Sequence, residues 1–250
     1  MGPDIKYLDR EDNSLRPSWS VNPGYVNDLH REIYARTDHI PGWQMEGDTY
    51  KLFEMGYFCG DVILEIGIYA GRSASVALHG ALSNPGRKAA PQYFGVDIDP
   101  NAIKKTRETL TRQGLIEYAM ILWGGIEMVT ELIDITPTMV FVDGDHSYEG
   151  CKKDLYTLNE LLSANTPVLC HDWKNKQNQT GEYGVLQACN EWEQDGYAHF
   201  AGVFGCSALY ITSDKCNKVR GALTARRFRQ LRDAVSENID EAIKETLQQN

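Results

Sequence analysis

From residue 61 onward the chain alternates short apolar runs with longer segments in which apolar residues recur every three or four positions. The first pattern belongs to strands and the second to amphipathic helices. The strand candidates are VILEIG (62–67), YFGVD (93–97), YAMIL (118–122), TMVFVD (138–143) and TPVLC (166–170). The spacing predicts helices near 72–83, 100–113, 125–134, 149–163 and 183–195. Strands separated by helices of this length form a parallel sheet, because the crossover returns the chain to the same end. AHFAGVFG and SALYIT, with Cys206 between them, follow too closely for a crossover and predict a hairpin, so one strand runs antiparallel. The expected fold is α/β: a Rossmann-like, seven-stranded, mostly parallel sheet with an antiparallel C-terminal hairpin and helices on both faces.

The flanks read differently. Residues 1–60 contain Pro3, Pro17, Pro23 and Pro41 and a weaker periodicity, which predicts an arm with helical patches near 25–36 and 46–56. Residues 61–213 form the expected domain. Residues 214–250 read as a helical extension, basic in its first half and acidic in its second, either solvated or contacting another subunit, so a homo-oligomer is left open. No apolar run reaches the roughly 18 to 20 residues that cross a bilayer, and MGPDIKYLDREDN lacks the apolar core of a signal peptide. Lys6 stands where a myristoylation pattern requires Ser or Thr. A cytoplasmic protein is expected, with no membrane partner. The formal charge of −10 argues against nucleic acid as well and leaves a small molecule as the partner. The six cysteines form no C-x-x-C pair and are expected to be buried, reduced thiols.

In an open α/β sheet ligands bind beyond the carboxyl ends of the strands, so the residues that close each strand carry the functional information. The first strand closes as LEIGIYAGRSA. Gly67 and Gly71 allow a tight turn and a close ligand, at a G-x-x-x-G spacing that misses the dinucleotide fingerprint. Glu65 would repel a pyrophosphate but attract an amino group, as in S-adenosylmethionine; a core Arg or Lys partner is the structural alternative. Asp97, closing GVDIDP, is placed to accept ribose hydroxyls, whereas Asp99 before Pro100 reads as a helix cap. FVDGDHSYEG then supplies Asp143, Asp145, His146 and Tyr148, far more ionisable chemistry than a strand-to-helix turn needs. Asp145 either orients His146 or caps the following helix, and Tyr148 and Trp173 read as packing or wall residues.

ILEIGIYAGRSA, GVDIDP, FVDGDHSYEG and VLCHDW resemble, in order, the motifs of class I S-adenosylmethionine-dependent methyltransferases, particularly small-molecule O-methyltransferases similar to the macrolide-sugar and catechol enzymes. The resemblance spans about residues 40–212. It implies a cofactor site of Glu65, Gly67, Ile68, Tyr69, Gly71, Ser73, Asp97, Ile98, Gly125, Ile126 and Asp143. Gly125 and Ile126 stand where the family often has Asp-Ser or Ala-Ser, so backbone contacts are expected to replace a polar grip on adenine. The resemblance also implies a divalent metal, Mg or Mn, at Asp143, His171 and Asp172. A histidine departs from magnesium's oxygen preference: either the ion is softer or His171 stands behind a ligand. His146 matches the family's general base, and IPGW (40–43) is expected to fold over the site. The implied reaction is methyl transfer to a hydroxyl of a small molecule, a sugar or natural-product intermediate. The alternatives are a nicotinamide-dependent oxidoreductase, weakened by the missing fingerprint, and a non-catalytic binding protein on the same fold.

Overall fold

The computed structural model describes residues 28–219 and 221–248. Its centre is a seven-stranded sheet of order β3-β2-β1-β4-β5-β7-β6. The strands are β1 (Val62–Ile66), β2 (Gln92–Asp97), β3 (Ala119–Trp123), β4 (Met139–Val142), β5 (Pro167–Cys170), β6 (Ala198–Phe204) and β7 (Ser207–Thr212). β1 through β5 pair in parallel, while β7 runs antiparallel between β5 and β6. The hairpin and its single reversed strand are therefore as the spacing predicts.

The central strands are continuous apolar runs because both faces are covered. Alternate residues divide between two cores: Leu64, Phe94, Met120, Val140 and Val168 on one face, and Ile63, Tyr93, Ala119, Phe141 and Leu169 on the other. The first face is covered by α5 (Glu127–Leu132), α6 (Tyr148–Leu158), α8 (Val185–Gln194) and the start of α9 (Ala225–Gln248). The second is covered by α2 (Glu46–Cys59), α3 (Arg72–Leu82) and α4 (Pro100–Arg112). Helix α1 (Asp28–Thr37) packs outside α2, and its Ile33 reaches the second core. No helix among the described residues is long and apolar enough to cross a membrane.

Three local differences have physical causes. α6 ends at Leu158, short of residue 163, where the Asn159 side chain is held by the Trp192 indole N–H, which donates to its Oδ1 at 2.8 Å. The connection after β5 contains an unanticipated one-turn helix, α7 (Gln177–Thr180), too short to leave a period in the sequence. The C-terminal extension, expected as one or two helices, forms one, and the part of the arm before residue 28 lies outside the described residues. All six cysteines are free and five are buried.

The parallel register sets the site. Ile66 lies beside Val96 and Val142, and Val142 beside Cys170, so four strands end level. The chain adds strands outward from β1 in one direction and then, from β4, in the other, which opens a crevice between the β1 and β4 ends. Gly67, at φ +81°, passes so close to β4 that a Cβ there would sit 2.0 Å from the Asp143 carbonyl oxygen.

The arm is locked to the far hairpin by one carboxylate. Asp48, 1% exposed, accepts the Met45 N–H at 2.7 Å at the start of α2. It also accepts the Cys206 and Ser207 N–H groups at 3.1 and 3.0 Å and the Ser207 hydroxyl at 2.6 Å. Gly205, at φ +63°, makes the turn, and a Cβ there would meet Asp48 Oδ2 at 2.5 Å. Asp48→Ala should lower unfolding stability by about 2 to 4 kcal/mol, because several buried donors lose their acceptor. Gly205→Ala should be destabilising as well. Urea denaturation checks both, and wild-type midpoints in both variants would contradict the lock.

Candidate active site

A cavity of about 1100 Å³ opens at the carboxyl edge of the sheet. Its walls come from the β1 loop (Gly67, Ile68, Tyr69, Ala70), the start of α3 (Arg72, Ser73), the ends of β4 and β5, and the segment Pro41–Met45. The IPGW segment therefore does reach the site, and Trp43 lies against Tyr69 with ring centroids 5.1 Å apart. Lys174–Gln179, Tyr183 and the α8 residues Asn190 and Gln194 close the other side.

Asp143, His146, His171 and Asp172 meet on this wall. Asp143 Oδ1 is 3.3 Å from His146 Nε2 and 2.9 Å from His171 Nδ1. Asp172 Oδ2 is 3.4 Å from His146 Nε2 and 3.5 Å from His171 Nδ1. Asn175 Nδ2 donates to Asp172 Oδ1 at 2.9 Å, and Asp172 itself holds a left-handed φ of 54°. Such backbone is strained for a residue other than Gly and collects at functional sites. The ring of His146 packs on Tyr183 at 4.6 Å.

The four groups tune one another. Burial pushes the Asp143 carboxyl up, but the nearby charge of His171 and the hydrogen bond from His146 outweigh it and hold the group below its ordinary range. Burial likewise opposes ionisation of Asp172, yet its contacts with His171, Asn175 and His146 bring it down to about 2. His146 is raised, chiefly by its hydrogen bond to Asp143, and His171 is raised further because the surrounding acids overcome its burial.

His171 Nδ1 is a buried nitrogen that lies close to two carboxylates without the alignment of a hydrogen bond to either. Its other face meets a second group: Nε2 is 3.2 Å from Cys206 Sγ and 3.9 Å from Asp48 Oδ2. Oxygen and nitrogen atoms about 3 Å apart are spaced as neighbouring ligands on one ion with bonds of about 2.1 Å. Asp143, His146 and Asp172 thus form a donor set with metal-ligand spacing, and His171 Nδ1 lies beside it. A nitrogen in that set favours manganese, iron or zinc over magnesium.

At the cofactor end Glu65 is 1% exposed and does not reach the cavity wall. It accepts the Tyr93 hydroxyl at 2.7 Å and the Ser73 hydroxyl, and Ser73 is the residue that faces the cavity. The partner is thus a pair of hydroxyls rather than a core Arg or Lys. Burial pushes the Glu65 carboxyl up to about 8. Asp97 Oδ2 accepts the Ile68 and Tyr69 N–H groups at 3.0 and 3.2 Å, and Oδ1 the Asp99 N–H at 2.9 Å, so it shapes the β1 loop. Asp99 caps α4 through the Asn101 N–H, as its place before Pro100 predicts. Ile98 is 77% exposed beside this loop, whereas Ile126 is fully buried, and neither Asp97, Ile98, Gly125 nor Ile126 lines the enclosed cavity. Gly71, at φ +79°, is the cap of α3.

Ser147, not Asp145, caps α6, accepting the Gly150 N–H at 3.1 Å. Asp145 instead takes the Ser147 N–H at 2.8 Å. Trp173 is a buried wall residue whose indole donates to the Tyr210 hydroxyl at 3.0 Å, and Tyr148 donates to Glu191 at 2.6 Å. Sequence reasoning missed Asp48, Cys206, Tyr93 and Tyr183, which only the folded chain brings to the site, and it passed over Arg72 inside a motif it had quoted.

Residues 64–173 match the family model described as a methyltransferase domain. No curated protein matches the chain. Among solved structures, an O-methyltransferase from Bacillus cereus in complex with SAH is 11% identical, with a TM-score of 0.57, covering 78% of this chain and 95% of that one. TomG, an O-methyltransferase from Streptomyces achromogenes in complex with SAM, is 13% identical, with a TM-score of 0.57 over 78% of this chain and 96% of its own. The SAH-bound Podospora anserina methyltransferase PaMTH1 is 18% identical, with a TM-score of 0.57 over 84% and 98%. Residues 64–173 are thus similar to a methyltransferase domain, and the chain shares the fold of these solved methyltransferases.

Glu65 gives a test of this geometry in the ligand-free protein. Its folded value of about 8 lies above its ordinary 4.5, so the folded state binds more proton in that window and stability falls as pH rises through it. Glu65→Gln should remove that slope, and its melting temperature should gain on wild type between pH 5 and 8. Parallel melting curves would contradict the buried, neutral acid.

Proposed function

We propose that the chain transfers the methyl group of S-adenosylmethionine to a hydroxyl of a small, hydroxyl-rich molecule such as a sugar, with His146 as general base and a divalent ion at Asp143, Asp172 and His171. The observation that carries this reading is the convergence of two carboxylates and two imidazoles beside the β1 loop.

Methyl transfer is an in-line displacement at a sulfonium carbon, and a neutral alcohol attacks it poorly until its proton is removed. His146 is the partly exposed imidazole of the cluster and faces the cavity, so it is the group within reach of an acceptor hydroxyl. Tyr183 holds the face of its ring. In the ligand-free protein the two acids keep His146 protonated to a higher pH than usual, which is the wrong state for a base. A divalent ion between Asp143 and Asp172 would offset their charge and lower the acceptor's pKa. His171 is the nitrogen ligand best fitted to it, because Nδ1 is buried and unsatisfied.

The acceptor class rests on two further lining residues. Gln44 Oε1 and Asn190 Oδ1 are buried amide oxygens without a hydrogen-bond partner, and both residues line the cavity. Unspent acceptors of this kind match the O–H donors of a polyol. Trp43 and Tyr183 add aromatic surface beside them. At the cofactor end the Ser73 hydroxyl donates to Glu65, which leaves its oxygen to accept from the ammonium of the amino-acid tail. Asp97 and the exposed Ile98 are offered to the nucleoside.

Transfer of labelled methyl from S-adenosylmethionine to a panel of glycosides and polyols tests the reaction. His146→Ala should slow transfer about 10²- to 10⁴-fold, the usual range for a lost general base, and keep its response to added metal. Asp172→Ala should lose that response. In wild type the rate should rise with pH as His146 becomes neutral, with the rise moved to lower pH by bound metal. Full activity in a chelator, together with an unchanged pH profile in His146→Ala, would contradict both roles. Cofactor binding without transfer to any hydroxylated compound would favour the non-catalytic alternative.

A further inference from the structure

Arg72 is the first residue of α3 and is 7% exposed on the cavity wall. Its Nε and Nη2 have no hydrogen-bond partner, and Nη1 reaches only the Gly42 carbonyl, at 3.5 Å. The guanidinium sits 5.7 Å from the centre of the Tyr34 ring, and among the described residues no carboxylate forms an ion pair with it. A guanidinium cannot escape burial by losing its proton, so the group stays charged and uncompensated. Such an arrangement is costly in an empty protein and is explained by a ligand that brings the missing anion.

Two features define the anion. Nε and Nη2 share one edge of the guanidinium, the edge that offers two parallel N–H bonds to a carboxylate. Arg72 is also the first residue of an eleven-residue helix whose cap, Gly71, has no side chain to satisfy the first-turn amides. The neighbouring Ser73 hydroxyl is already spent on Glu65, which leaves the Arg72 edge as the unused side-chain donor beside the β1 loop.

We propose that Arg72 is the carboxylate anchor of the cavity, holding the α-carboxylate of S-adenosylmethionine through Nε and Nη2. This rests on the cofactor reading above and deepens it. A pyrophosphate is disfavoured at the same place because the Asp143 carboxylate lies across the loop on the same cavity wall. An amino acid suits both signs: the carboxylate faces Arg72 and the ammonium faces Asp143. Nη1 and Tyr34 tie the same guanidinium to the arm, so a filled carboxylate site also fixes the Gly42–Trp43 segment over the cofactor.

Calorimetry with two ligands separates the anchor from a structural role. S-adenosylhomocysteine carries the amino-acid tail, and 5′-methylthioadenosine has the same thioether nucleoside without it. Arg72→Met, which keeps the side-chain bulk, should weaken S-adenosylhomocysteine about 10- to 100-fold and leave methylthioadenosine within about threefold, the range expected for a charge-assisted pair. Arg72→Lys should fall between, since a point charge replaces the fork. Ligand-free Arg72→Met should melt no lower than wild type, because the residue removed was an unpaired buried charge. Equal loss of both ligands, or unchanged S-adenosylhomocysteine affinity, would overturn the anchor while leaving the cofactor reading intact. A wild-type protein that binds neither ligand would overturn both.

Discussion

The His171 imidazole is the junction on which the site depends. One nitrogen faces Asp143 and Asp172 at the ends of the parallel strands, and the other faces Cys206 and Asp48, which belong to the hairpin turn and the arm. A ring 3% exposed has no freedom to serve these groups one at a time. Its position is fixed from behind by Asp48, whose carboxylate gathers the backbone of the β6–β7 turn. The acids in front are therefore held by elements far apart in the chain, and the geometry of this edge of the sheet becomes a property of the whole fold.

The level ending of β1, β2, β4 and β5 does the rest. Because these strands stop together, the β1 loop, the β4 loop and the β5 end open into one cavity, with Ser73 and Arg72 at one side and the acid and imidazole cluster at the other. The close passage of Gly67 against Asp143 keeps the two sides adjacent. A methyl donor anchored through Ser73 and Arg72 and an acceptor facing His146 would then meet over Asp143, which is the arrangement an in-line transfer needs.

Much of this was legible in the sequence, and the reason is locality. Strand ends, the Asp99 cap and the DGDH run announce themselves within a few residues, and the period of the apolar pattern orders the strands. Glu65 stood out as an acid in a buried strand, but its partners did not: hydroxyls from Tyr93 and Ser73 rather than a basic side chain. Asp48 was illegible because its role is a contact with the hairpin turn 158 residues away. Arg72 passed without remark inside LEIGIYAGRSA, since nothing local reveals that it is buried without a counter-ion. The cap of α6 was missed because Ser147 and Asp145 offer equivalent chemistry two residues apart, and only the turn geometry selects the serine.

The central claim is that the cofactor's methyl group and a divalent ion occupy one cavity, on opposite sides of Asp143. The most direct measurement is the NMR relaxation of ¹³C-methyl S-adenosylmethionine bound to the protein, compared with Mg²⁺ and with paramagnetic Mn²⁺. Strong broadening of the methyl line in Mn²⁺, absent in Mg²⁺ and abolished by Asp172→Ala, is the predicted result. A methyl line that is bound yet indifferent to Mn²⁺ would contradict the account.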